Sequence, residues 1–369
     1  MLNKLSHYGI QNTNLKWFKS YLSNRKQYVE IDGIKSQVRD ISMGVPQGSI
    51  LGPLLFIIYM NDINKASEIF NVILYADDTS LGSYLNAFHL GRETISTCIN
   101  KELEKINTWL MSNKLSLNVE KTKYIIFRYP QSRNRNIPKL YLHINGKPIE
   151  QVQYFDFLGI VINENLTWKH HLDKLSIKIS KVIGVMSKTK NLLNTDILLK
   201  IYNSLILSSL HYGILCWGHD CNKLEKLQKK AIRIVSKSKY NSHTDPIFKH
   251  FKLLKISDIF HTQCIKFFYK HEHDLLPVYF RNVFQKENRQ QIYQLRNRHL
   301  LKIHYTQKES TKKTIRWVMP QIINNLPPDI IEKLYRCSID TVKYSVKEMF
   351  LSKYAENCTL RECYICNRV

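Results

Sequence analysis

Two adjacent carboxylates, Asp77 and Asp78, are the residues whose types and spacing most directly suggest chemistry. They lie between an apolar run at residues 72–75 and a second segment at 79–84, so the sequence predicts a tight β-hairpin with both aspartates at its tip. Carboxylates held together repel each other unless a divalent cation lies between or beside them. Such oxygen ligands suit Mg²⁺, which is commonly shared with substrate phosphates. The pair fits a two-metal phosphoryl-transfer site, although two aspartates on a turn are more often only a solvated turn.

A segment rich in glycine and proline precedes this pair and makes the catalytic interpretation stronger. Residues 44–53 read GVPQGSILGP and lead directly into an apolar run at residues 54–60. A bend of this kind ahead of a helix lets the backbone approach a bulky ligand closely. The sequence therefore places a ligand-contacting loop and a carboxylate hairpin within one short stretch of chain.

Helical periodicity predicts the elements that support the hairpin. Apolar residues recur at positions 95, 99, 103, 106 and 110, which indicates an amphipathic helix over residues 93–110 that packs against the sheet. Turns are expected at Asp32-Gly33 and at Asn145-Gly146, the second within a hairpin. Later helices are expected from residue 169, after a Thr195 cap, and over residues 220–238, 256–271 and 330–353.

The composition favours a polyanionic partner. The 369 residues include 55 lysines and arginines against 30 acidic residues, a net charge of +25. Charge spread along the whole chain fits nucleic acid better than a membrane surface, which would call for one concentrated basic amphipathic helix. Aromatic residues make up 11% and would supply stacking surfaces for bases.

The sequence shows no secretory or membrane signal. Residues 1–10 lack an apolar signal-peptide core, and the uncharged stretch at 201–218 carries enough polar residues to predict a buried helix instead of a membrane span. The 8 cysteines are scattered, which fits a reduced, intracellular chain better than a disulfide framework.

The segment GVPQGSILGPLLF followed by YADD resembles the reverse transcriptases of non-LTR retrotransposons of the LINE or jockey-like type. The resemblance implies an RNA-directed DNA polymerase of a transposable element, a nucleotidyltransferase that adds dNTPs to a primer 3′-OH. It implies an α+β fold: a right-hand polymerase palm with an antiparallel sheet and helices, then an α-helical thumb and a basic, mainly helical C-terminal region. The expected boundaries are 1–128 for partial fingers and palm, 129–168 for the end of the palm and a primer-grip hairpin, 169–240 for the thumb and 241–369 for the C-terminal region.

The same resemblance assigns catalytic residues. Asp77 and Asp78 would hold Mg²⁺ or Mn²⁺, with Asp77 as the direct ligand of both ions and Asp78 as a weaker ligand or an orienting group. Lys121, in a segment that resembles the family's N-x-x-K-T motif, would protonate the departing pyrophosphate, with Lys123 as the alternative. For both lysines, an ordinary surface position is an equally good interpretation.

It also assigns residues that contact substrate. The loop at residues 46–48 and the hairpin at residues 75–76 would contact the template and the nucleotide. The turn within FLGIVINENLTW would hold the primer 3′ end. The template and nucleotide residues are Pro46, Gln47, Gly48, Tyr75 and Ala76, and the primer-grip residues are Phe157, Leu158 and Gly159.

The first metal-binding aspartate of the family has no counterpart in this sequence. In the family it lies upstream of the segment that resembles residues 1–33, so the chain is expected to be an N-terminally truncated polymerase. The acids nearest to that place are Glu30, Asp32 and Asp40, and none has the family's sequence context. Asp62, which follows the apolar run, is expected to have a structural function at a helix end.

Two alternatives follow. A catalytically inactive retrotransposon-derived fragment that only binds nucleic acid would also lack one of three carboxylates, and its palm motifs would look the same. A group II intron-type maturase would share these motifs as well, but no maturase-like tail is recognisable.

The family implies RNA template, primer and target DNA, and dNTPs as partners, no membrane, and a nuclear or ribonucleoprotein-associated location. Zinc is a further option at Cys358, Cys363 and Cys366, whose C-x4-C-x2-C spacing lacks a fourth ligand before the end of the sequence.

Overall fold

The computed structural model describes residues 1–41, 43–46, 48–84, 92–127, 140–285, 301–303, 305–307 and 309–355. The chain divides into two compact units, Met1–Gln153 and Tyr154–Val369. The first unit mixes short strands with helices, and the described part of the second is helical apart from one hairpin. This agrees with the predicted α+β class.

In its described residues, the first unit has four helices and ten short strands. The helices are α1 (Leu2–His7), α2 (Asn12–Leu22), α3 (Leu51–Met60) and α4 (Arg92–Ser112), with a 3₁₀ turn at Ile63–Ala66. The strands are β1 (Arg25–Gln27), β2 (Glu30–Ile31), β3 (Ile34–Lys35), β4 (Arg39–Ile41), β5 (Asn71–Tyr75), β6 (Asp78–Gly82), β7 (Lys123–Tyr124), β8 (His143–Ile144), β9 (Lys147–Pro148) and β10 (Glu150–Gln151).

Among the described residues the strands pair only two at a time. Four pairs of this unit are antiparallel (β1 with β4, β2 with β3, β5 with β6 and β8 with β9), and β7 pairs with β10 in parallel. Both predicted turns are confirmed by their backbone angles. In the first turn φ is 48° at Asp32 and 81° at Gly33, and in the second it is 54° at Asn145 and 71° at Gly146. Positive φ at both central residues matches the twist of the flanking strands.

Helix α4 is the packing centre of the first unit, and its predicted apolar stripe is confirmed. Ile95, Ile99 and Leu103 pack against the β8–β9 hairpin, and Ile106 and Leu110 pack against the end of α3. Residues of the β5–β6 hairpin contact both clusters. The carboxylate hairpin is therefore attached to the core through one long helix.

Two carboxylates, each in an ion pair, connect separate segments of the first unit. Glu102 of α4 is 7% exposed and accepts hydrogen bonds from Ser67 Oγ at 2.6 Å and from the backbone N–H of Glu68 at 3.1 Å. Its other oxygen lies 2.5 Å from Lys105 Nζ. The bonds from Lys105 and Ser67 outweigh burial and lower the pKa of Glu102 to about 2.

The second ion pair joins Asp62, just after α3, to Lys4 on α1. Lys4 Nζ lies 2.6 Å from Asp62 Oδ1 and donates to the carbonyl oxygen of Tyr59 at 2.7 Å. The same ammonium lies 4.7 Å from the ring centres of both Tyr59 and Trp109. Burial alone would raise the pKa of Asp62, but the bond from Lys4 reverses this and lowers it. The predicted structural function of Asp62 agrees with this pairing.

The second unit comprises one hairpin and eleven helices in its described part. The strands are β11 (Tyr154–Phe157) and β12 (Ile160–Asn163). The helices are α5 (Lys169–Thr189), α6 (Thr195–Ile201), α7 (Ser208–His211), α8 (Ile214–Trp217), α9 (Asn222–Val235), α10 (Asp245–His250), α11 (Ile256–Glu272), α12 (Glu309–Lys312), α13 (Ile315–Asn324), α14 (Pro328–Arg336) and α15 (Ile339–Ser352). A π-helical segment, Tyr202–Leu207, joins α6 to α7, and single 3₁₀ turns occupy Gly218–Asp220 and Val278–Phe280.

One continuous apolar core joins these helices, from Leu172 on α5 to Leu351 on α15. Gln228 of α9 is buried within it and is fully bonded: its amide donates to Tyr202 Oη and to the carbonyl of Leu254, each at 3.0 Å, and accepts from the N–H of Ile256 at 2.8 Å. A buried amide with all of these partners fixes the relative register of three segments.

Two sequence expectations are wrong in this unit. Asn194, not Thr195, caps α6, because the Asn194 side chain accepts from the N–H of Ile197 at 2.9 Å. The expected helix at residues 330–353 is two helices, α14 and α15, and Ser338 starts the second as its N-cap. Apolar periodicity continues across the break, so it does not reveal the cap.

A helix that crosses a membrane must be both long and apolar. In the part of the chain that the structure describes, no helix combines the length and the apolar character that crossing a membrane requires.

Candidate active site

The two carboxylates lie at the closed end of the β5–β6 hairpin. The strand register pairs Tyr75 with Asp78, so Ala76 and Asp77 alone form the turn. Ala76 has φ of +51°, which a two-residue hairpin turn imposes on its first central residue. Asp77 is thus at the tip as predicted, whereas Asp78 is the first residue of β6.

Strand periodicity separates the two faces of this hairpin. Val72 and Leu81 are a cross-strand pair that packs on the α4 core. The pair Tyr75 and Asp78 is on the opposite face, because side chains alternate along a strand. Tyr75 is 64% exposed there, and both aspartates are exposed. The hairpin is held from one face and presents its carboxylates on the other side and at the tip.

This arrangement fits one mode of divalent-cation binding. Mg²⁺ keeps several of its waters and is commonly bound through one or two carboxylates together with substrate phosphates, which needs exposed oxygens instead of an enclosed cage. Within the described ranges, no three His, Cys, Asp or Glu side chains converge on a common point. Asp77 and Asp78 are the candidate ligands of the hairpin, and substrate oxygens and water are the further ligands that this mode of binding uses.

The three upstream acids lie elsewhere in the first unit. Glu30 is on β2 and pairs with Lys35 at 3.7 Å, and Asp32 occupies the following turn. Asp40 is on β4, opposite Lys26. None of them forms a three-member ligand group in the described residues.

The glycine-rich loop before α3 is stabilised by local bonds. Ser49 Oγ donates to the carbonyl of Pro46 at 2.7 Å, and Gly48 has φ of +77°, which L-residues rarely adopt. Gly52 is buried at the start of α3, where an added Cβ would lie 3.1 Å from the Pro46 oxygen. Gln47 lies outside the described residues, so the loop is described only around it.

Of the two candidate proton donors, one is paired. Lys123 is on β7, and its ammonium forms an ion pair with Glu150 of the adjacent strand β10. Lys121 precedes that strand in an exposed turn, where its backbone N–H donates to Asn118 Oδ1 at 3.2 Å. As a candidate proton donor, Lys123 would first have to leave the carboxylate of Glu150.

The candidate primer-grip residues form a second tight hairpin. Strands β11 and β12 pair from Tyr154 with Asn163 to Phe157 with Ile160, which leaves Leu158 and Gly159 as the turn. Their φ angles are 48° and 79°, again positive at both positions. This turn closes the hairpin that the sequence predicted.

Two residues that the sequence analysis missed hold this turn. Tyr212 Oη donates to the carbonyl oxygen of Leu158 at 2.5 Å. Gly213, at φ of +62°, lies so close to Ile160 that an added Cβ would be 2.3 Å from its Cδ1. The glycine at the end of a helical apolar run was the available signal, because glycine after a helix indicates a left-handed cap. The tyrosine carried no such signal.

Helix α9 carries several basic residues, and not all of them face solvent. Lys226 and Lys230 on the helix and Lys237 just after it are exposed. Arg233 is half-buried, and its Nε donates to the carbonyl of Ser242 at 2.7 Å. Arg233, in the last turn of α9, therefore holds the loop that follows the helix.

The three C-terminal cysteines Cys358, Cys363 and Cys366 lie outside the described residues.

Comparison with known proteins finds similarity over the first part of the chain. Residues 1–162 match the family described as reverse transcriptase (RNA-dependent DNA polymerase). The RNA-directed DNA polymerase from mobile element jockey of Drosophila melanogaster is 27% identical over 206 residues, which are 53% of this chain and 22% of that protein. The Pol polyprotein from type-1 retrotransposable element R1 2 of Nasonia vitripennis is 29% identical over 156 residues, 42% of this chain and 36% of that protein.

A third relative extends the same pattern. The probable RNA-directed DNA polymerase from transposon X-element of Drosophila melanogaster is 26% identical over 207 residues, 53% of this chain and 21% of that protein. The chain thus spans only a minor part of the length of these relatives. Residues 1–162 are thus similar to the reverse transcriptase (RNA-dependent DNA polymerase) family, and the chain is similar to the RNA-directed DNA polymerase of mobile element jockey and to the Pol polyprotein of an R1 element.

Proposed function

We propose that this chain acts in an RNA-directed DNA polymerase of a non-LTR mobile element. The reaction is template-directed addition of a dNTP to a primer 3′-OH, with pyrophosphate leaving. The observation that carries the proposal is the exposed pair Asp77 and Asp78 at the closed end of a hairpin, within the residues that match the family.

The two aspartates would hold Mg²⁺ or Mn²⁺. Asp77, at the tip, would contact both ions, and Asp78, at the start of β6, would be a second ligand or would orient the first. When bound, the ions supply activation of the primer 3′-oxygen and stabilisation of charge on the triphosphate. Both carboxylates are exposed, so a hydrated ion can reach them without any opening of the fold.

Other residues of the first unit would position the nucleotide. Pro46, Gln47 and Gly48 would line the nascent base pair, with Gln47 as the polar contact. Tyr75 and Ala76 would contact the same substrate from the hairpin, where Tyr75 lies on the Asp78 face. Their contribution is alignment of the reacting atoms, which can supply much of the rate of phosphoryl transfer.

Proton transfer and primer placement complete the assignment. Lys121 would protonate the departing pyrophosphate from its exposed turn. Phe157, Leu158 and Gly159 would hold the primer 3′ end. The rigid attachment of their turn to Tyr212 supports this, because a positioning element must itself be fixed.

The domain assignment follows the same proposal. Residues 1–128 and 129–168 would be partial fingers and palm and the primer grip, and 169–240 would be the thumb. The exposed lysines on α9 support a thumb that contacts duplex phosphates. The partners would be RNA template, primer and target DNA, and dNTPs, and the chain would act in the nucleus or in a ribonucleoprotein.

Primer extension by the full purified chain tests the proposal. The substrate is poly(rA) annealed to oligo(dT), with Mg²⁺ or Mn²⁺, and the comparison is the Asp77→Ala, Asp78→Ala double variant. The proposal predicts extension that the double variant loses while template–primer binding is kept. A folded wild-type chain that binds template–primer but never extends it would contradict the proposal and favour an inactive nucleic-acid-binding fragment.

A further inference from the structure

Helices α11 and α15 of the second unit bring several cations onto one surface. The two helices pack through buried residues such as Ile265 and Val346. Lys266 and Lys270 lie one turn apart on α11, and Lys343 lies on α15 where its charge acts on Lys266. We call Lys266, Lys270 and Lys343 the α11–α15 cationic face. It is outside the residues that match the polymerase family.

Positive charge is in excess on this face. Lys266 is half-buried, and burial lowers its pKa, which the charges of Lys343 and Lys270 lower further. The carboxylate acting in the opposite direction is that of Asp340, and it is already paired with Lys343 at 2.7 Å. Like charges this close to a half-desolvated ammonium destabilise each other, so a bound anion would stabilise all three lysines.

The face is connected to the β11–β12 turn through neighbouring residues. Gln263 lies one turn before Lys266 on α11, and its Nε2 is 3.3 Å from His211 Nδ1. His211 is also within reach of the charge of Lys266, which together with burial lowers the pKa of this histidine. The next residue, Tyr212, holds the carbonyl of Leu158. His211 therefore contacts the residue one turn before Lys266 and is adjacent in sequence to the residue that holds the Leu158 carbonyl.

We propose that the α11–α15 cationic face binds the phosphates of a nucleic acid whose path continues from the turn at Leu158 and Gly159. The proposal rests on the proposed function only in taking nucleic acid as the ligand and this turn as part of its path. Lysine ammoniums are point charges that contact phosphate without reading sequence, so the contact is sequence-independent and salt-sensitive. Tyr344, 68% exposed on α15, adds a ring on which an unpaired base can stack.

Salt-dependent binding of the full chain tests the proposal. The probe is a fluorescein-labelled RNA–DNA hybrid with a single-stranded RNA overhang, and its Kd is measured by anisotropy across a series of KCl concentrations. The test variant is Lys266→Gln, Lys270→Gln, Lys343→Gln. The matched control, Lys65→Gln, Lys101→Gln, Lys147→Gln, removes the same charge from exposed positions of the first unit.

The test variant should lower the slope of log Kd against log[KCl] by about 2 to 3, because each lost phosphate contact changes it by about 0.7–0.9. The Kd at low salt should rise about ten-fold or more, and the control should change both values much less. Equal effects of the two triple variants, or no effect of either, would mean that these lysines are an ordinary solvated face and would overturn the proposal.

A further variant keeps the test decisive. If Lys266→Gln impairs folding, the double variant Lys270→Gln, Lys343→Gln replaces only side chains that reach solvent and should lower the slope by about 1.4 to 1.8. Because binding is measured without dNTPs, the result does not depend on extension. A chain that fails to extend primers but shows the expected slope change would contradict the proposed polymerase function and leave this proposal intact.

Discussion

The hydroxyl of Tyr212 donates a hydrogen bond of 2.5 Å to the carbonyl oxygen of Leu158, 54 residues earlier in the chain. The same tyrosine ring lies 3.4 Å from the position that a Cβ on Gly159 would occupy. One side chain at the end of α7 therefore fixes both turn residues of the β11–β12 hairpin. The turn is positioned by the helical part of the unit and not by its own two strands alone.

Tyr212→Phe tests this positioning function. The change keeps the ring and removes the hydroxyl, so the turn loses one hydrogen bond, which contributes about 0.5–1.5 kcal/mol. The KM for template–primer should rise about two- to ten-fold, with a change of at most about 1.5 kcal/mol in the free energy of unfolding. Steady-state extension kinetics and chemical denaturation measure the two effects. Tyr240→Phe, at a tyrosine that is 85% exposed, is the control, and equal KM effects in both variants would contradict the assignment.

Gly213→Ala should destabilise the second unit strongly. The new Cβ would meet Ile160 Cδ1 at 2.3 Å, and φ of +62° is unfavourable for alanine. We expect a loss of about 1–3 kcal/mol in the free energy of unfolding. Adding Ile160→Val removes the clashing methyl and should restore part of this loss, while the backbone strain remains.

The matched control for this substitution is Gly184→Ala in α5. Apart from the backbone of its own helix, no heavy atom of the described residues lies within 4 Å of the Cβ position at Gly184. The change should therefore stabilise the unit by about 0.5–1 kcal/mol. Urea denaturation of the three variants measures the series, and a tolerated Gly213→Ala would show that the close approach to Ile160 is unimportant.

Glu102→Gln should change the pH dependence of stability in the first unit. The folded-state pKa of Glu102 is about 2, below its ordinary value of 4.5, so its stabilisation is complete above pH 4.5 and is lost as the pH falls towards 2. The variant lacks this protonation step. Hydrogen exchange of α4 amides should therefore show faster exchange than wild type at pH 7 and a smaller difference at pH 3.

The control for this experiment is Glu348→Gln, at an exposed glutamate on α15. It should leave the exchange of α4 unchanged at every pH. A Glu102→Gln variant whose α4 exchange differs from wild type by the same factor at pH 7 and pH 3 would contradict the assigned protonation of Glu102.

Local patterns in the sequence predicted much of the fold. The stripe from Ile95 to Leu110 became the buried face of α4, because apolar spacing near 3.6 residues has one helical solution. The turns at Asp32-Gly33 and Asn145-Gly146 followed from residues that tolerate positive φ. The N-cap of α6 was harder to predict from the sequence. Asn194 and Thr195 are both favourable N-cap residues, and only the backbone geometry selects Asn194.

The candidate site was predictable only where its residues are adjacent in sequence. Asp77 and Asp78 follow from one turn, but the strand register that moves Asp78 off the tip depends on which residues of β5 and β6 pair. Lys4 with Asp62 and Tyr212 with Leu158 join residues more than fifty positions apart. Such contacts depend on tertiary packing, which no local pattern encodes.

The central claim is that the hairpin carboxylate Asp77 directs nucleotide addition. The most direct measurement is the single-turnover rate of one dNTP addition to a pre-bound template–primer, for wild type, Asp77→Asn and the exposed control Asp196→Asn. The account predicts a loss of about 10³-fold or more for Asp77→Asn, equivalent to about 4 kcal/mol, with an unchanged Kd for template–primer and a normal rate for the control. An Asp77→Asn chain that adds the nucleotide at the wild-type rate would contradict it.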